Sequence, residues 1–219
     1  MKIEIWSDIA CPWCYIGKRR FESALDQFPQ RDQLTVIWRS FELDPHAPAR
    51  ATLPTVELLA SKYRIPIAQA QGMMDSMTTT GAADGVTFRF DRSISGNTFD
   101  AHRLIHFAAT HDMRAAMVER LFRAYFTEGE ALGDHDTLVR LATDVGLDAA
   151  AARAMLAGTD FATDVRADEQ RAQQFGITGV PFFAIDETYG ISGAQPASVI
   201  AQALADAWAD AHAEPSAQR

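Results

Sequence analysis

Cys11 and Cys14 are the two cysteines of this 219-residue chain, and only Pro12 and Trp13 stand between them. An ionised thiol can attack a disulfide bond, and a second thiol close by can then displace the captured group. Two thiols spaced like Cys11 and Cys14 on a helix lie almost one turn apart, which brings their sulfur atoms within bonding range. The spacing therefore predicts a redox-active pair.

The sequence around the pair predicts a strand, a helix and a second strand. Residues 2–7 and 33–41 are rich in β-branched and aromatic side chains, as strands are. Pro12 fits the first turn of a helix, where its missing N–H is not needed. Cys11 then lies where the helix begins, and the unpaired N–H groups there favour a negatively charged sulfur. We predict that Cys11 attacks and that Cys14, deeper in the helix, resolves the mixed disulfide.

Other roles for the pair are weaker alternatives. A structural disulfide between Cys11 and Cys14 would close a very short loop and constrain the unfolded chain little. A zinc site needs more ligands than two cysteines. His102 and His106 share a helix face and form a conceivable metal pair, but a solvated or interdomain surface explains them better, and no metal site is predicted. Two incidental buried cysteines remain the simplest alternative.

Composition excludes several classes of partner. The net charge of −9 argues against nucleic acid and anionic membranes, which attract basic surfaces. The opening MKIEIWSD lacks the long apolar segment and small-residue cleavage site of a signal peptide. No stretch approaches the roughly 18 apolar residues of a membrane helix. We therefore predict a cytoplasmic protein with no nucleic-acid and no membrane partner.

The rest of the chain predicts an α/β fold with an inserted all-helical domain. A cluster of prolines after residue 44 marks a boundary, and helical patterns follow it. Strand patterns return at 179–186 and 188–193, and a final helix begins at Pro196. The predicted units are the first part of an α/β domain at 1–44, a helical insertion at 45–164, the second part of the α/β domain at 165–213 and a tail at 214–219.

Finer predictions within the helical unit depend on local composition. Residues 72–85 are small and polar and predict a loop, whereas VTFRF at 86–90 predicts a short strand. Asp136 is predicted to cap the next long helix, and Thr159 or Asp160 to begin the last helix of the unit.

Pro181 lies inside an apparent strand, where a proline cannot donate to the ladder. One explanation is a cis peptide bond at Val180–Pro181, which would expose the backbone of Val180 beside Cys11 for pairing with an extended substrate. The other is a trans proline in a turn, with the strand beginning at Phe182. The residues alone leave both open.

Several segments together resemble a known family. They are WSDIACPWCYIGKRRFE, WRSFELDP, NTFDAHRLIHFA, GITGVPFFAID and ISGAQP, and they span nearly the whole chain. The combination resembles the DsbA-like branch of the thioredoxin superfamily, and within it the FrnE group of cytosolic oxidoreductases. The resemblance implies a thioredoxin fold with an inserted helical domain, dithiol–disulfide exchange and a cis bond before Pro181.

The resemblance also implies functional residues and partners. The expected catalytic residues are Cys11, Cys14 and Pro181, and the expected substrate-binding residues are Pro12, Trp13, Val180, Asn97 and His102. The expected partners are thiol or disulfide substrates, either proteins or glutathione. No bound cofactor is expected, although glutathione is a candidate co-substrate. The oligomeric state is not predicted.

Departures from the family pattern leave two questions open. Many thioredoxin-fold enzymes carry a buried acid six residues before the attacking cysteine, and this chain has Ile5 there. Asp8 is predicted either to transfer protons or to cap the turn. The kappa-type glutathione transferases and 2-hydroxychromene-2-carboxylate isomerases share the expected architecture but generally have serine in place of Cys11. They, and a non-catalytic client-binding module, are the alternative functions.

Overall fold

The computed structural model describes residues 1–213, which form a four-stranded sheet covered by helices. The strands are β1 (Lys2–Ser7), β2 (Thr35–Ser40), β3 (Phe182–Ile185) and β4 (Tyr189–Ser192). Their order across the sheet is β2-β1-β3-β4. Strand β1 pairs parallel with β2 and antiparallel with β3, and β3 pairs antiparallel with β4. The predicted tail at 214–219 lies outside the described residues.

The helices follow the predicted order. They are α1 (Pro12–Asp26), α2 (Thr55–Tyr63), α3 (Ile67–Ala83), α4 (Phe99–Ala109), α5 (Arg114–Arg123), α6 (His135–Asp144), α7 (Ala149–Ala157), α8 (Ala162–Gln174) and α9 (Ala197–Ala211). A π-helical turn, Ala124–Glu128, extends α5. This arrangement confirms the prediction of a thioredoxin fold with a helical insertion. The exact unit boundaries stay a prediction, since α8 crosses the one placed at 164/165. No helix within residues 1–213 has the length and apolar character to span a bilayer.

Strand β1 lies between β2 and β3 in the sheet, and other elements cover both of its faces. Ile3, Ile5 and Trp6 are each fully buried. Ile3 and Ile5 belong to the main apolar core, whereas Trp6 packs on the opposite face with Ala172 of α8. The indole Nε1 of Trp6 also donates to the main-chain oxygen of Asp168 at 2.9 Å. A strand held on both faces fixes the position of the turn that follows it.

Helix α1 packs against the helical insertion as well as against the sheet. The ring of Tyr15 stacks on Phe122 of α5 with centroids 4.9 Å apart. Lys18 is buried, and its Nζ lies 2.6 Å from Oε2 of Glu119. Burial opposes the negative charge of Glu119, but Lys18 and Arg19 outweigh it and hold the pKa of that carboxyl below its ordinary value. The helix that carries the thiols is therefore fixed on two sides.

The predicted loop at 72–85 is wrong, because α3 continues through Ala83. Its threonine hydroxyls turn back onto the helix: Thr78 donates to the Met74 carbonyl at 2.9 Å, and Thr79 and Thr80 do the same one and two residues on. Such bonds satisfy the hydroxyls without breaking the helical ladder. Tertiary packing overrides the low intrinsic helix propensity of this segment, since Met74 and Gly81 are buried.

Three smaller predictions also need correction. Residues 86–90 form no ladder within residues 1–213: position 90 lies in a turn, and the main-chain N–H groups of Val86 and Arg89 bond the Gly81 and Phe126 oxygens. The cap of α6 is Asp134, whose side chain accepts from the Thr137 N–H, and not Asp136. Helix α8 begins after Phe161 rather than at Thr159 or Asp160.

Candidate active site

The two thiols lie at the turn between β1 and α1, as the sequence predicts. Cys11 is the residue immediately before the helix, with extended backbone angles (φ −93°, ψ 112°), and Pro12 opens the first turn. Within residues 1–213, the Cys11 side chain makes no capping hydrogen bond to the first N–H groups of α1. The Cys11 sulfur therefore stands at the positive end of the helix, where a negative charge is stabilised.

The thiols differ in their surroundings. Both are reduced; Cys11 is 5% exposed and Cys14 is 1% exposed. Burial first, and then the neighbouring Cys11 sulfur, raise the pKa of the Cys14 thiol well above its ordinary value. Cys14 therefore keeps its proton at neutral pH, and any attack by its sulfur requires a group that removes this proton.

A loop from the other end of the chain closes over Cys11. The peptide bond between Val180 and Pro181 is cis. The Cys11 sulfur lies 3.6 Å from the Val180 carbonyl oxygen, which can accept the thiol hydrogen. Pro181 packs on α1 at Gly17, where an added Cβ would come within 2.8 Å of the proline Cγ. Sheet hydrogen bonding and this close approach hold the loop beside the thiol.

Pro12 and Trp13 form the outer edge of the site. The Trp13 side chain is 43% exposed, although it lies between two buried thiols. Pro12 is partly buried in the first turn. Their predicted contact with substrate stays a prediction.

Asp8 lies in the turn between β1 and the thiols, and its buried carboxylate organises that turn. Its Oδ1 accepts from the Ala10 N–H at 3.2 Å and its Oδ2 from the Leu43 N–H at 2.8 Å. Burial opposes the charge, but His102 and these N–H groups outweigh it and keep the pKa of Asp8 below its ordinary value. Asp8 thus caps the turn, and it is ionised at neutral pH.

His102 is placed inside the protein rather than in a substrate groove. It is 1% exposed, so the expectation that His102 binds substrate directly is corrected: α4 packs this face against the turn after β1. Its Nε2 lies 3.5 Å from Asp8 Oδ1, but without hydrogen-bond geometry. His106, one turn on, contacts Ser40 and Asp168 instead. Residues 1–213 hold no cluster of three or more metal-ligating side chains.

Asn97 braces the loop before α4. Its Oδ1 accepts from the Phe99 N–H at 2.9 Å, and its Nδ2 donates to Glu42 and to the Pro45 carbonyl, each at 3.3 Å. These bonds explain its place in the sequence as a cap. Its predicted substrate contact stays a prediction.

Ser7 is a site residue that the sequence reasoning missed. It is the last residue of β1, is buried, and faces the Cys14 thiol, whose pKa it lowers against the larger effects of burial and Cys11. Its Oγ has no regular hydrogen-bond partner among residues 1–213. The signal was available, because Ser7 ends the strand that leads to the thiol pair and shares a strand face with the apolar Ile3 and Ile5.

Fold and site together define a thioredoxin-like protein with a paired-thiol turn at the start of its first helix. The family model for the DSBA-like thioredoxin domain matches residues 2–205. The chain belongs to this family, and the resemblance inferred from its motifs is confirmed at that level.

Two similar proteins span nearly the whole chain. The structure of a probable DsbA oxidoreductase from Streptomyces coelicolor has a TM-score of 0.92 at 45% identity, covering 100% of this chain and 94% of that chain. The uncharacterized protein YwbO of Bacillus subtilis (strain 168) is 30% identical over 207 residues, or 93% of this chain and 96% of its own length.

More distant structures share only the fold. A 2-hydroxychromene-2-carboxylate isomerase has a TM-score of 0.74 at 15% identity, covering 96% of this chain and 98% of that one. The cytosolic disulfide reductase DsbM from Pseudomonas aeruginosa, with GSH, has a TM-score of 0.66 at 18% identity, covering 94% and 98%. Because one fold carries both activities, the chemistry must be argued from the side chains at the start of α1.

Proposed function

We propose that this protein is a thiol–disulfide oxidoreductase that exchanges disulfides with protein or small-thiol substrates through Cys11 and Cys14. One observation carries the proposal: Cys11 stands at the open N-terminus of α1 beside the Val180 carbonyl, with Cys14 buried behind it. Membership of the DsbA-like oxidoreductase family supports the same class of chemistry.

The exchange has two steps. The Cys11 thiolate attacks one sulfur of a substrate disulfide, forming a mixed disulfide and releasing the other sulfur as a thiolate, which takes a proton. Cys14, once deprotonated, attacks the Cys11 sulfur. The Cys11–Cys14 disulfide forms, the bond to substrate breaks, and the substrate leaves as its second thiol. The protein dithiol is oxidised by two electrons and the substrate disulfide is reduced; the reverse sequence oxidises a dithiol.

Substrate is held by the edge of the site. The Val180 backbone lies beside the reacting sulfur, where an extended peptide or the backbone of a thiol tripeptide can pair with it. Pro12 and the half-exposed Trp13 supply apolar surface next to it. We assign Pro181 the role of holding Val180 in this position through its contact with Gly17.

We assign the activity to the cytoplasm and to the FrnE-like group, where the glutathione poise favours reduction or isomerisation of disulfides. The motifs that resemble this group support the assignment, and so does the shared fold with a reductase named as cytosolic and solved with GSH. Glutathione is then a small-thiol substrate, and no bound cofactor is required.

Single-cysteine variants test the proposal. Cys14→Ser should accumulate a mixed disulfide with a model disulfide substrate, visible by mass spectrometry, and Cys11→Ser should abolish insulin reduction. Full activity in Cys11→Ser would reject the proposal. Turnover of a chromene or an aromatic electrophile that survives Cys14→Ser would indicate an isomerase or transferase, and client binding indifferent to both substitutions would indicate a binding module.

A further inference from the structure

A small cavity lies behind the thiol pair, between β1, β2 and α4. It leaves about 10 Å³ in which the centre of a water molecule can move, which is close to the size that one water needs. Ser7, Arg39, Ser40 and His102 are the polar residues of its lining, and Ile9, Trp38, Ile105 and Val118 complete it. Most of the wall is apolar, and the space is of the right size for a single water held by the few polar groups that reach it.

Two of the lining residues each have a buried polar side-chain atom without a hydrogen-bond partner in the described chain. These atoms are Oγ of Ser7 and Nε2 of His102, both in residues that are at most 4% exposed. Buried polar atoms are nearly always hydrogen-bonded, to protein or to ordered water. A water between them would satisfy both, and the Ser7 hydroxyl is also near enough to the Cys14 thiol to lower the pKa of that thiol.

We propose that this cavity binds one water molecule and that Ser7 Oγ, the water and His102 Nε2 form a relay that removes the proton from Cys14 during the resolving step. The inference rests on the thiol–disulfide exchange proposed above. Asp8, 3.5 Å from Nε2, stabilises the charged imidazole. Ser7 and His102 are therefore relay residues, and Asp8 is a positioning residue.

The relay conserves protons. Cys14 gives its proton to Ser7 Oγ as the Ser7 hydroxyl proton passes to the water and a water proton passes to His102. The Cys14 thiolate then attacks Cys11, and the departing substrate thiolate takes a proton from solvent. The proton on His102 returns along the same route when the disulfide is reduced again.

The charged and titratable groups around His102 come from several elements of the fold. Asp8 contacts it from the turn after β1, and the Glu42 carboxylate acts on it from the loop after β2. Arg39 lines the far side of the cavity, where its guanidinium is occupied by Glu4 and Asp168. Cys14 is near Ser7 from α1, and His106, one turn further along the same face of α4, is paired with Asp168.

A two-phase thiol reaction separates the steps. The aromatic disulfide 5,5′-dithiobis(2-nitrobenzoate) releases one coloured thiolate when Cys11 attacks it and a second when Cys14 resolves the mixed disulfide. In Ser7→Ala, the first phase should keep its wild-type rate and the second should slow by at least about tenfold at pH 7, since proton transfer contributes about 10²–10⁴-fold. The deficit should close above pH 9, where hydroxide removes the proton directly.

Controls and a second variant make the outcome decisive. His102→Gln should slow the same phase, and Ser93→Ala, which removes a half-buried hydroxyl elsewhere, should leave both phases unchanged. A wild-type second phase in Ser7→Ala and His102→Gln would overturn the relay, as would equal slowing of both phases at every pH. Absence of both phases in the wild-type protein would instead overturn the proposed function.

Discussion

Glu4 lies on β1, the strand that ends beside the thiols, and its fully buried carboxylate binds three cations. It contacts Arg39 at 2.6 Å, Arg171 at 2.8 Å and Lys2 at 3.1 Å. Burial opposes its charge most strongly, yet the hydrogen bonds from these cations outweigh burial and lower its pKa from 4.5 to about 2. The carboxylate joins β1 to β2 and α8, so its removal should lower the free energy of unfolding of the protein.

The lowered pKa of Glu4 gives the magnitude and the sign of the stability change in Glu4→Gln. A fall from 4.5 to about 2 corresponds to about 3 kcal/mol, at about 1.4 kcal/mol for each pKa unit. Because the folded-state pKa is lowered, this stabilisation is fully present above pH 4.5 and is lost as the pH falls towards 2. Glu4→Gln should therefore lower the free energy of unfolding by about 3 kcal/mol at pH 7, and the gap to wild type should shrink as the pH falls towards 2.

Urea unfolding of the reduced protein between pH 7 and pH 2.5, followed by circular dichroism, measures the loss of stability at pH 7 and its decrease at low pH. Glu187→Gln is the matched control, because Glu187 also binds Lys2 and Arg171 but is half exposed. Solvent screens such a pair, so the control should unfold at nearly the wild-type urea concentration. The reasoning is refuted if the two variants unfold alike at pH 7, or if the gap between Glu4→Gln and wild type is constant down to pH 2.5.

Gly17→Ala and Glu119→Gln test how α1 is held, and Gly72→Ala on α3 is the control for the first. Gly17→Ala should destabilise the protein by about 1–3 kcal/mol through overpacking and slow the first thiol phase, because its Cβ would meet Pro181 at 2.8 Å. Gly72→Ala, with open space around its Cβ, should instead stabilise by up to about 1 kcal/mol in the same urea assay. Glu119→Gln should lower the melting temperature at pH 7, since Lys18 loses a charged partner, and the difference should narrow at pH 3, because a carboxylate with a lowered pKa loses its contribution as it is protonated. An unchanged melting temperature at pH 7 would contradict this account of Glu119.

The thiol turn could be predicted because its geometry is local. Residues 2–14 specify a strand, a turn and a helix start through nearest-neighbour chemistry, and Pro12 fixes where the helix begins. The position of Pro181 beside Cys11 required the family resemblance, because nothing local joins residues so far apart in the chain. The alternation of strand and helix patterns then sufficed for the fold class.

The interior around the thiols could not be predicted from patterns. Ser7 and His102 come together only because α4 packs across the end of β1, and a helix-face pattern does not say which element will cover it. The helix α3 could not be predicted for the same reason. Its threonines favour a loop by composition, and only the structure shows their hydroxyls bonded within the helix. Whether a polar side chain is buried depends on three-dimensional packing. The sequence therefore placed His102 among the substrate-binding residues, although it is buried.

The Ile5 position connects these observations. Ile5 and Ser7 are two residues apart on β1, so their side chains share a face of the sheet. A family pattern that places a buried acid at Ile5 would bring a proton acceptor to this face, but Ile5 is part of the apolar core here. Ser7, two residues nearer to the thiols, has a hydroxyl instead, and a hydroxyl can pass a proton on but cannot keep one. A chain with Ser7 in this place therefore needs a base further inside, and His102 with the ionised Asp8 occupies that position. The apolar Ile5 and the buried His102 are connected on this argument, because His102 supplies the base that an acid at position 5 would otherwise provide.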